Sequence, residues 1–84
     1  MKIDRKAMTS WVLHALGELG GSGSILEICK YIWKKHENDL VNSGDYFYKW
    51  QYEVRWAGDL LQKEGMIEKG TGKKRGVWKL ISAV

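Results

Sequence analysis

Three adjacent cations bracketed by glycines are the residues whose type and spacing most directly suggest binding chemistry. Lys73, Lys74 and Arg75 follow Gly72 and precede Gly76. The segment before them has the pattern of an amphipathic helix and adds further cations and aromatic rings. Side chains of these kinds pair with phosphates and stack on bases. This half of the chain therefore points to a nucleic acid partner.

The net charge of +4 is confined to that same half. Residues 1–45 carry six cations and six anions, whereas residues 46–84 carry eight cations and four anions. A localised basic surface is the electrostatic signature of a protein that binds the phosphate backbone. Charge alone equally fits a mildly basic soluble domain.

Residues that could catalyse a reaction or bind a metal are few. We expect His14 on the outward side of the first helix and His36 at the end of the second. Cys29 falls in a core stripe, where an inert thiol is the usual state. No Cys and His spacing suggests zinc, and the glycines match neither a P-loop nor a dinucleotide fingerprint. We predict no catalytic residue, no metal, no cofactor and no enzymatic activity for this chain alone.

Size and composition predict one domain over residues 1–84. The single cysteine excludes an internal disulfide and favours a reducing compartment. The sequence has no signal peptide and no apolar run near the ~20 residues that span a bilayer. We therefore predict an intracellular, cytoplasmic domain without a membrane partner.

Two helices are predicted in the first half. Asp4 as N-cap and apolar residues at helical spacing predict the first, over about 4–19, with a core stripe of Met8, Val12, Ala15, Leu16 and Leu19. The capping-box pattern from Ser24 to Glu27 opens the second, over about 25–36. Its core stripe is Ile25, Ile28, Cys29, Ile32 and Trp33. A strand of only one or two residues fits before it, and residues 37–45 have the composition of a loop.

A third helix and a hairpin are predicted in the second half. The helix covers about 46–64 and ends at Gly65. The hairpin covers about 66–81, with residues 70–76 as its turn. Helix, helix, helix, strand, strand is the order of a winged helix-turn-helix. We therefore predict a helix-rich α+β fold, a three-helix bundle with a C-terminal β-wing of two or three strands.

The third helix has two faces at 100° per residue. Its core face holds Trp50, Val54, Ala57 and Leu61, with Phe47 and Gly58 at the edge, and Gly58 is expected to let another helix approach closely. Its outward face would enter the major groove of DNA. The predicted contacts there are Tyr48, Lys49, Tyr52, Arg55, Trp56, Asp59 and Lys63, and the wing adds Lys73, Lys74 and Arg75.

Each of these contacts has an alternative explanation. Tyr48, Tyr52 and Trp56 recur at i, i+4 as an exposed aromatic row that could stack on a base, although Trp56 could fold under the wing or under residues 37–45. Arg55 and Lys49 could read guanine or hold phosphates, and Asp59 could accept from cytosine or pair with Arg55. The wing could contact the backbone or the minor groove, or serve only as a solvated edge.

The same residues resemble a known family. Similarity to the amino-terminal domain of Mrr-type restriction endonucleases, and to related helix-turn-helix modules of restriction and chromatin proteins, covers nearly the whole chain. It is carried by Arg55, Trp56 and Ala57, by Leu60 and Leu61, by residues 65–67 and 76–80, and upstream by Leu13, Ala15, Leu16, Leu19, Gly20, Gly21, Glu27 and Ile28.

The resemblance implies a DNA-recognition module that elsewhere is joined to a nuclease domain acting on modified DNA. It also implies a bacterial, archaeal or phage setting and a possible role in reading methylated DNA. The chain contains no nuclease domain, so we expect a stand-alone reader, a regulator or a domain excised from a longer protein. The end of the chain close to the last strand favours the excised domain.

Two classes of function remain open. The first is binding of double-stranded DNA in a restriction or defence system, with a nuclease domain or partner protein as an associate. The second is protein–protein interaction through the patch of Tyr48, Tyr52 and Trp56. Transcriptional regulation is a further alternative within DNA binding.

Overall fold

Three helices alternate with three short strands in the computed structural model, which describes residues 3–81. The order is α1 (Arg5–Glu18), β1 (Ser22–Ser24), α2 (Ile25–Val41), α3 (Trp50–Lys63), β2 (Ile67–Lys69) and β3 (Val77–Leu80). Short 3₁₀ helices lie at Gly44–Tyr48 and Gly72–Lys74. The predicted helix-rich α+β class is confirmed. The ends of the predicted domain, residues 1–2 and 82–84, lie outside the described part.

Both N-terminal capping signals are confirmed. Asp4 Oδ1 accepts a hydrogen bond from the backbone N–H of Ala7 at 2.8 Å and begins α1. At the start of α2 the Ser24 hydroxyl accepts from the Glu27 N–H at 3.1 Å, and the Glu27 carboxylate accepts from the Ser24 N–H at 2.9 Å. Each cap stabilises its helix by about 1 kcal/mol. These local contacts fix where α1 and α2 begin.

The connection between α2 and α3 differs from the prediction. Residues 37–45 are not a loop, because α2 continues to Val41 through a kink at His36, where φ is −126° and ψ is 23°. Leu40 is fully buried, and its burial outweighs the turn preference of the polar residues around it. His36 therefore lies inside α2 rather than at its end.

The third helix also begins later than predicted. Gly44–Tyr48 forms a separate 3₁₀ helix, and Lys49 at φ −131° interrupts it before α3 starts at Trp50. The predicted end is confirmed, since Gly65 follows the last turn in the left-handed region at φ +78°. Tyr48 and Tyr52 consequently do not share one continuous α-helix.

The sheet is antiparallel and has the order β1-β3-β2. Gly23 of β1 and Lys69 of β2 both pair with Trp78, so β3 is the central strand. The predicted hairpin is confirmed as β2 and β3. The strand before α2 is confirmed as well, although it has three residues rather than one or two.

The core lies between the three helices and one face of the sheet. Its fully buried side chains include Met8, Leu16, Ile28, Ile32 and Val54. The predicted core stripe of α1 is confirmed, since Met8, Val12, Ala15 and Leu16 are buried and Leu19 packs against them. Within residues 3–81, no helix combines the length and apolar character needed to cross a membrane.

Gly58 allows close approach, but to a strand rather than to a helix. A Cβ added there would lie 2.2 Å from Cη2 of Trp78, so the indole of β3 occupies the space that any side chain would need. Trp78 is only 2% exposed. The contact fixes the hairpin against α3, and the expectation of a neighbouring helix at Gly58 is wrong.

Candidate nucleic-acid interface

The structure leaves nine of the ten predicted contact residues exposed. The exposed face of α3 presents Tyr52, Arg55, Asp59 and Lys63. Tyr48 and Lys49 directly precede this helix. The remaining cations, Lys73, Lys74 and Arg75, lie in the turn between β2 and β3, which we call the basic turn (residues 70–76).

Trp56 is the exception, and the predicted row of three aromatic rings does not form. Tyr48 is 85% exposed and Tyr52 68% exposed, but Trp56 is half-buried and packs against the core. The guanidinium of Arg5 lies 4.2 Å from the centre of its ring. Arg5 of α1 thus covers the face of the Trp56 ring. We had expected this face to be exposed to solvent, or covered by the wing or by residues 37–45.

An ion pair between the half-exposed Arg5 of α1 and the buried Glu53 of α3 helps to set the orientation of the exposed face. Arg5 Nε lies 3.1 Å from Oε1 of Glu53, and the same guanidinium donates to Oε2 at 3.4 Å. Glu53 is 5% exposed, so Arg5 compensates a carboxylate that has little contact with water. The pair and the Arg5–Trp56 contact hold one side of α3 inward, and the opposite side therefore faces solvent.

Asp59 connects α3 to the strand that leads into the basic turn. Its carboxylate pairs with the ammonium group of Lys69, which also lies 5.3 Å from the centre of the Trp78 ring. Among residues 3–81 no ion pair forms between Arg55 and Asp59, so the alternative explanation of Arg55 as a partner of Asp59 finds no support. The Lys69 contact places the start of the basic turn beside the exposed face of α3.

The backbone of the basic turn is compact. A Cβ at Gly70 would lie 2.2 Å from the carbonyl oxygen of Lys74, so this position requires glycine. The Gly70 N–H donates to the Val77 carbonyl at 2.8 Å, and the Ile25 N–H donates to the Gly76 carbonyl at 2.9 Å. These bonds tie both ends of the turn to the sheet and to α2. The side chains of Lys73, Lys74 and Arg75 are exposed and form no ion pair with another described residue, so they can contact an external anion.

The groups suited to proton transfer are dispersed. Burial raises the pKa of the Cys29 thiol, and the nearby Arg55 charge only partly opposes this. The hydroxyl of Tyr46 is buried without a hydrogen-bond partner among residues 3–81, and burial followed by the Glu53 charge raises its pKa to about 12. No group of three or more potential metal ligands occurs within residues 3–81.

A groove between α2 and α3 was missed by the sequence reasoning. Cys29 and Trp33, which we expected in the core, are half-buried and line this groove together with Phe47 of the 3₁₀ helix. Lys30 and Arg55 are its charged residues. No sequence signal separates these positions from the fully buried Ile28 and Ile32, because all of them follow the same helical period.

The exposed face of α3 and the strand that leads into the basic turn are joined by the Lys69–Asp59 pair. The two regions carry the exposed cations Lys49, Arg55, Lys63, Lys73, Lys74 and Arg75, whereas the Asp59 charge is balanced by Lys69. Comparisons of the chain with protein-family models, curated proteins and solved structures find no match. A function is therefore inferred from the residues of the chain itself.

Proposed function

We propose that this chain is a winged helix-turn-helix module that binds duplex DNA through the exposed face of α3 and the basic turn. In this assignment α3 is the recognition helix, and the hairpin of β2 and β3 is the wing. The element order and the central position of β3 support this fold. The observation that carries the function is the Lys69–Asp59 pair, because it brings the basic turn beside the exposed face of α3.

The two parts of the surface have different roles in the proposal. The side chains of Lys73, Lys74 and Arg75 supply phosphate contacts, which give affinity and salt dependence but no sequence preference. Tyr52 and Arg55 lie on the helix face that fits the major groove, where base edges are distinguishable. Asp59 is held by Lys69, so its role is to position the wing rather than to read cytosine.

The resemblance to the amino-terminal domain of Mrr-type enzymes supports a role of this DNA binding in restriction or defence. We propose that any nuclease activity belongs to a separate domain or partner. The half-buried Cys29 with its raised pKa supports a non-catalytic role for the chain. Reading of methylated bases is part of the same proposal, with Tyr52 as the exposed ring nearest to Arg55 in sequence.

A salt series with a matched variant tests the proposal. Each cation that contacts a phosphate contributes about one unit to the slope of log K against log salt, so K73A/K74A/R75A should flatten it by up to about three units. Affinity for every duplex should fall alike. The control K6A/K34A/K35A removes the same charge from exposed positions on α1 and α2. Equal slopes for the two triple variants would remove the wing from the interface, and no duplex binding at low salt would refute the function.

Base readout has its own test. Titration with identical unmodified, adenine-methylated and cytosine-methylated duplexes measures the preference of the wild-type domain. Replacement of Arg55 or Tyr52 with alanine should change the ratio of these affinities by about 5- to 100-fold if they contact bases. An equal loss on all three duplexes would assign both side chains to the backbone.

Protein–protein interaction is the second candidate, and one observation favours it. Tyr48 and Tyr52 are large exposed rings, and rings of this kind anchor protein interfaces. Trp56 is not part of this exposed patch, because the Arg5 guanidinium lies over its ring. An interface built on the two tyrosines would be much less sensitive to salt than a phosphate interface, so the same salt series separates the two functions.

A further inference from the structure

The groove between α2 and α3 is large enough to hold a ligand. One wall comes from α2 with Leu26, Lys30 and Trp33, and the other from Phe47, Trp50 and Arg55. Its volume is about 690 Å³, which lies within the range of small-molecule and cofactor sites. Leu26 is 64% exposed at its edge, so an apolar surface faces solvent there. The groove is therefore an apolar cleft that nothing within residues 3–81 fills.

Aromatic rings lead from the core to solvent along the 3₁₀-helix side of the groove. The ring centres of Trp50 and Trp33 lie 6.1 Å apart, those of Trp33 and Phe47 6.2 Å, and those of Phe47 and Tyr48 5.4 Å. Trp50 is 5% exposed and Tyr48 85% exposed. The ring planes of Trp33 and Phe47 are tilted by 51° and those of Phe47 and Tyr48 by 80°, so the rings offer separate faces rather than one plane. A flat ring can stack on such a face without regard to its substituents.

The charge of the groove selects an anion. The charged side chains that line it are Lys30 and Arg55, both cations and both exposed, and no carboxylate is among its lining residues. The Arg55 charge acts within the groove, since it favours the thiolate of Cys29 against the larger effect of burial. A ligand with a flat ring and an attached anionic group matches the aromatic wall and the two cations. A nucleotide has both parts.

Arg55 also connects the groove to the surface proposed to bind DNA. It lies on the exposed face of α3 and also lines the groove, so the groove adjoins that surface. Stacking of one base on an aromatic ring changes affinity by roughly 5- to 150-fold, and the cost of taking a paired base out of the duplex is of the same order. Stacking in the groove would therefore add little net affinity for a base that must first be unpaired, and most for a base that is already unpaired.

We infer that the groove between α2 and α3 receives the base of an unpaired nucleotide in the bound DNA, with Lys30 and Arg55 on its phosphates. This inference rests on the proposed DNA binding and names a class of target within it. It moves base stacking from the exposed face of α3 to Trp33 and Phe47, and it moves Arg55 from a base edge to a phosphate. The domain then prefers duplexes that carry an extrahelical nucleotide over the same duplexes without one.

The test compares two duplexes that differ by one extra nucleotide. One is fully paired, and the other carries a single bulged 2-aminopurine, whose fluorescence falls when it stacks on an aromatic ring. The wild-type domain should bind the bulged duplex about ten-fold more tightly, within the range for one stacked base. The 2-aminopurine fluorescence should fall as the complex forms. Equal affinity for the two duplexes would overturn the inference and leave the proposed function intact.

A matched pair of variants ties the preference to the groove. Leu26→Glu places a carboxylate at the edge of the groove, whereas Val41→Glu makes the same charge change on the same helix outside it. Both positions are exposed, at 64% and 53%, so neither change disturbs the core. Leu26→Glu should abolish the preference for the bulge, and Val41→Glu should retain it. Equal effects of the two variants would overturn the inference.

Two further measurements exclude other occupants. Free 2-aminopurine riboside monophosphate, at the concentration of the bulged duplex, should show no comparable loss of fluorescence, and an equal loss would assign the groove to free nucleotides. Sedimentation of the domain without DNA should not depend on concentration. Self-association that Leu26→Glu abolishes and Val41→Glu retains would assign the groove to a second copy of the chain. Absence of binding to any duplex would refute the proposed function together with the inference.

Discussion

The two sides of α3 are built differently. On the side of α1 and the sheet, the helix is held by the Arg5–Glu53 pair, the Arg5–Trp56 contact and the Trp78 indole against Gly58. On the side of α2, a groove of about 690 Å³ lies between the two helices. The same helix therefore has a closed side, which holds it in place, and an open side, which can accept a ligand.

The difference separates stability from binding along one helix. Residues on the closed side make contacts whose loss creates a clash, a cavity or an unpaired charge, and such losses dominate large mutational effects. Exposed residues of the open side and of the basic turn make few internal contacts. We therefore expect substitutions on the closed side to change the free energy of unfolding, and those on the open side to change binding.

Gly58→Ala should give the largest effect, because it forces a Cβ into the Trp78 ring. Overpacking of this kind costs about 1–3 kcal/mol and we expect the upper end, although alanine favours a helix by about 1 kcal/mol. Urea unfolding followed by tryptophan fluorescence measures the change. Gly17→Ala is the control, since nothing lies within 4 Å of its Cβ position and it should stabilise α1. Equal effects at the two glycines would show that the indole does not restrain α3.

Arg5→Ala should destabilise less, by about 1–2 kcal/mol. It leaves the buried Glu53 carboxylate without its partner, but the 54% exposed Arg5 side chain was itself partly hydrated, which reduces the loss. Lys6→Ala removes an adjacent exposed cation and should have little effect on urea unfolding. Glu53→Gln in the Arg5→Ala background should recover part of the stability. Failure of that double variant to recover any would contradict the buried-charge explanation.

The elements that the sequence predicted correctly depend on contacts between near neighbours in the chain. Asp4 caps Ala7, and Ser24 pairs with Glu27, each across three residues, so the starts of α1 and α2 follow from local chemistry. The core stripe of α1 and the strands of the hairpin follow equally from apolar spacing. These features need no knowledge of the tertiary arrangement.

The features that the sequence did not predict depend on distant residues. Arg5 and Glu53 are 48 positions apart, and their pairing decides that Trp56 is covered. Burial of Leu40 extends α2 through a segment whose composition favours a turn. The groove depends on how α2 packs against α3, which helical periodicity cannot report. The closed and open sides of α3 therefore became visible only in three dimensions.

The smallest predicted change in stability concerns the contact between α1 and α2. The second of these helices forms the far wall of the groove. The rings of His36 and Trp11 stack with centres 3.7 Å apart, at the kink of α2. Burial lowers the pKa of His36 below its ordinary value of 6.5, with Asp39 opposing the shift and His14 and Lys35 adding to it. His36 is therefore protonated at a higher pH in the unfolded chain than in the folded chain. The contribution of neutral His36 to the free energy of unfolding is complete above about pH 6.5 and is lost as the pH falls below that value.

The loss of folding stability on protonation of His36 should stay below about 1 kcal/mol, because solvent screens partly exposed charges. Urea unfolding between pH 7.5 and pH 5 measures it in the wild-type domain and in His36→Phe, which keeps a stacking ring but cannot titrate. The variant should lose this pH dependence, whereas the control His14→Gln, at an exposed position, should keep most of it. An unchanged pH dependence in His36→Phe would show that protonation at the kink does not weaken α2. DNA affinity can be measured over the same pH range at constant salt. If it falls with the pH profile of stability in the wild type but not in His36→Phe, the attachment of α2 to α1 also controls the open side of α3.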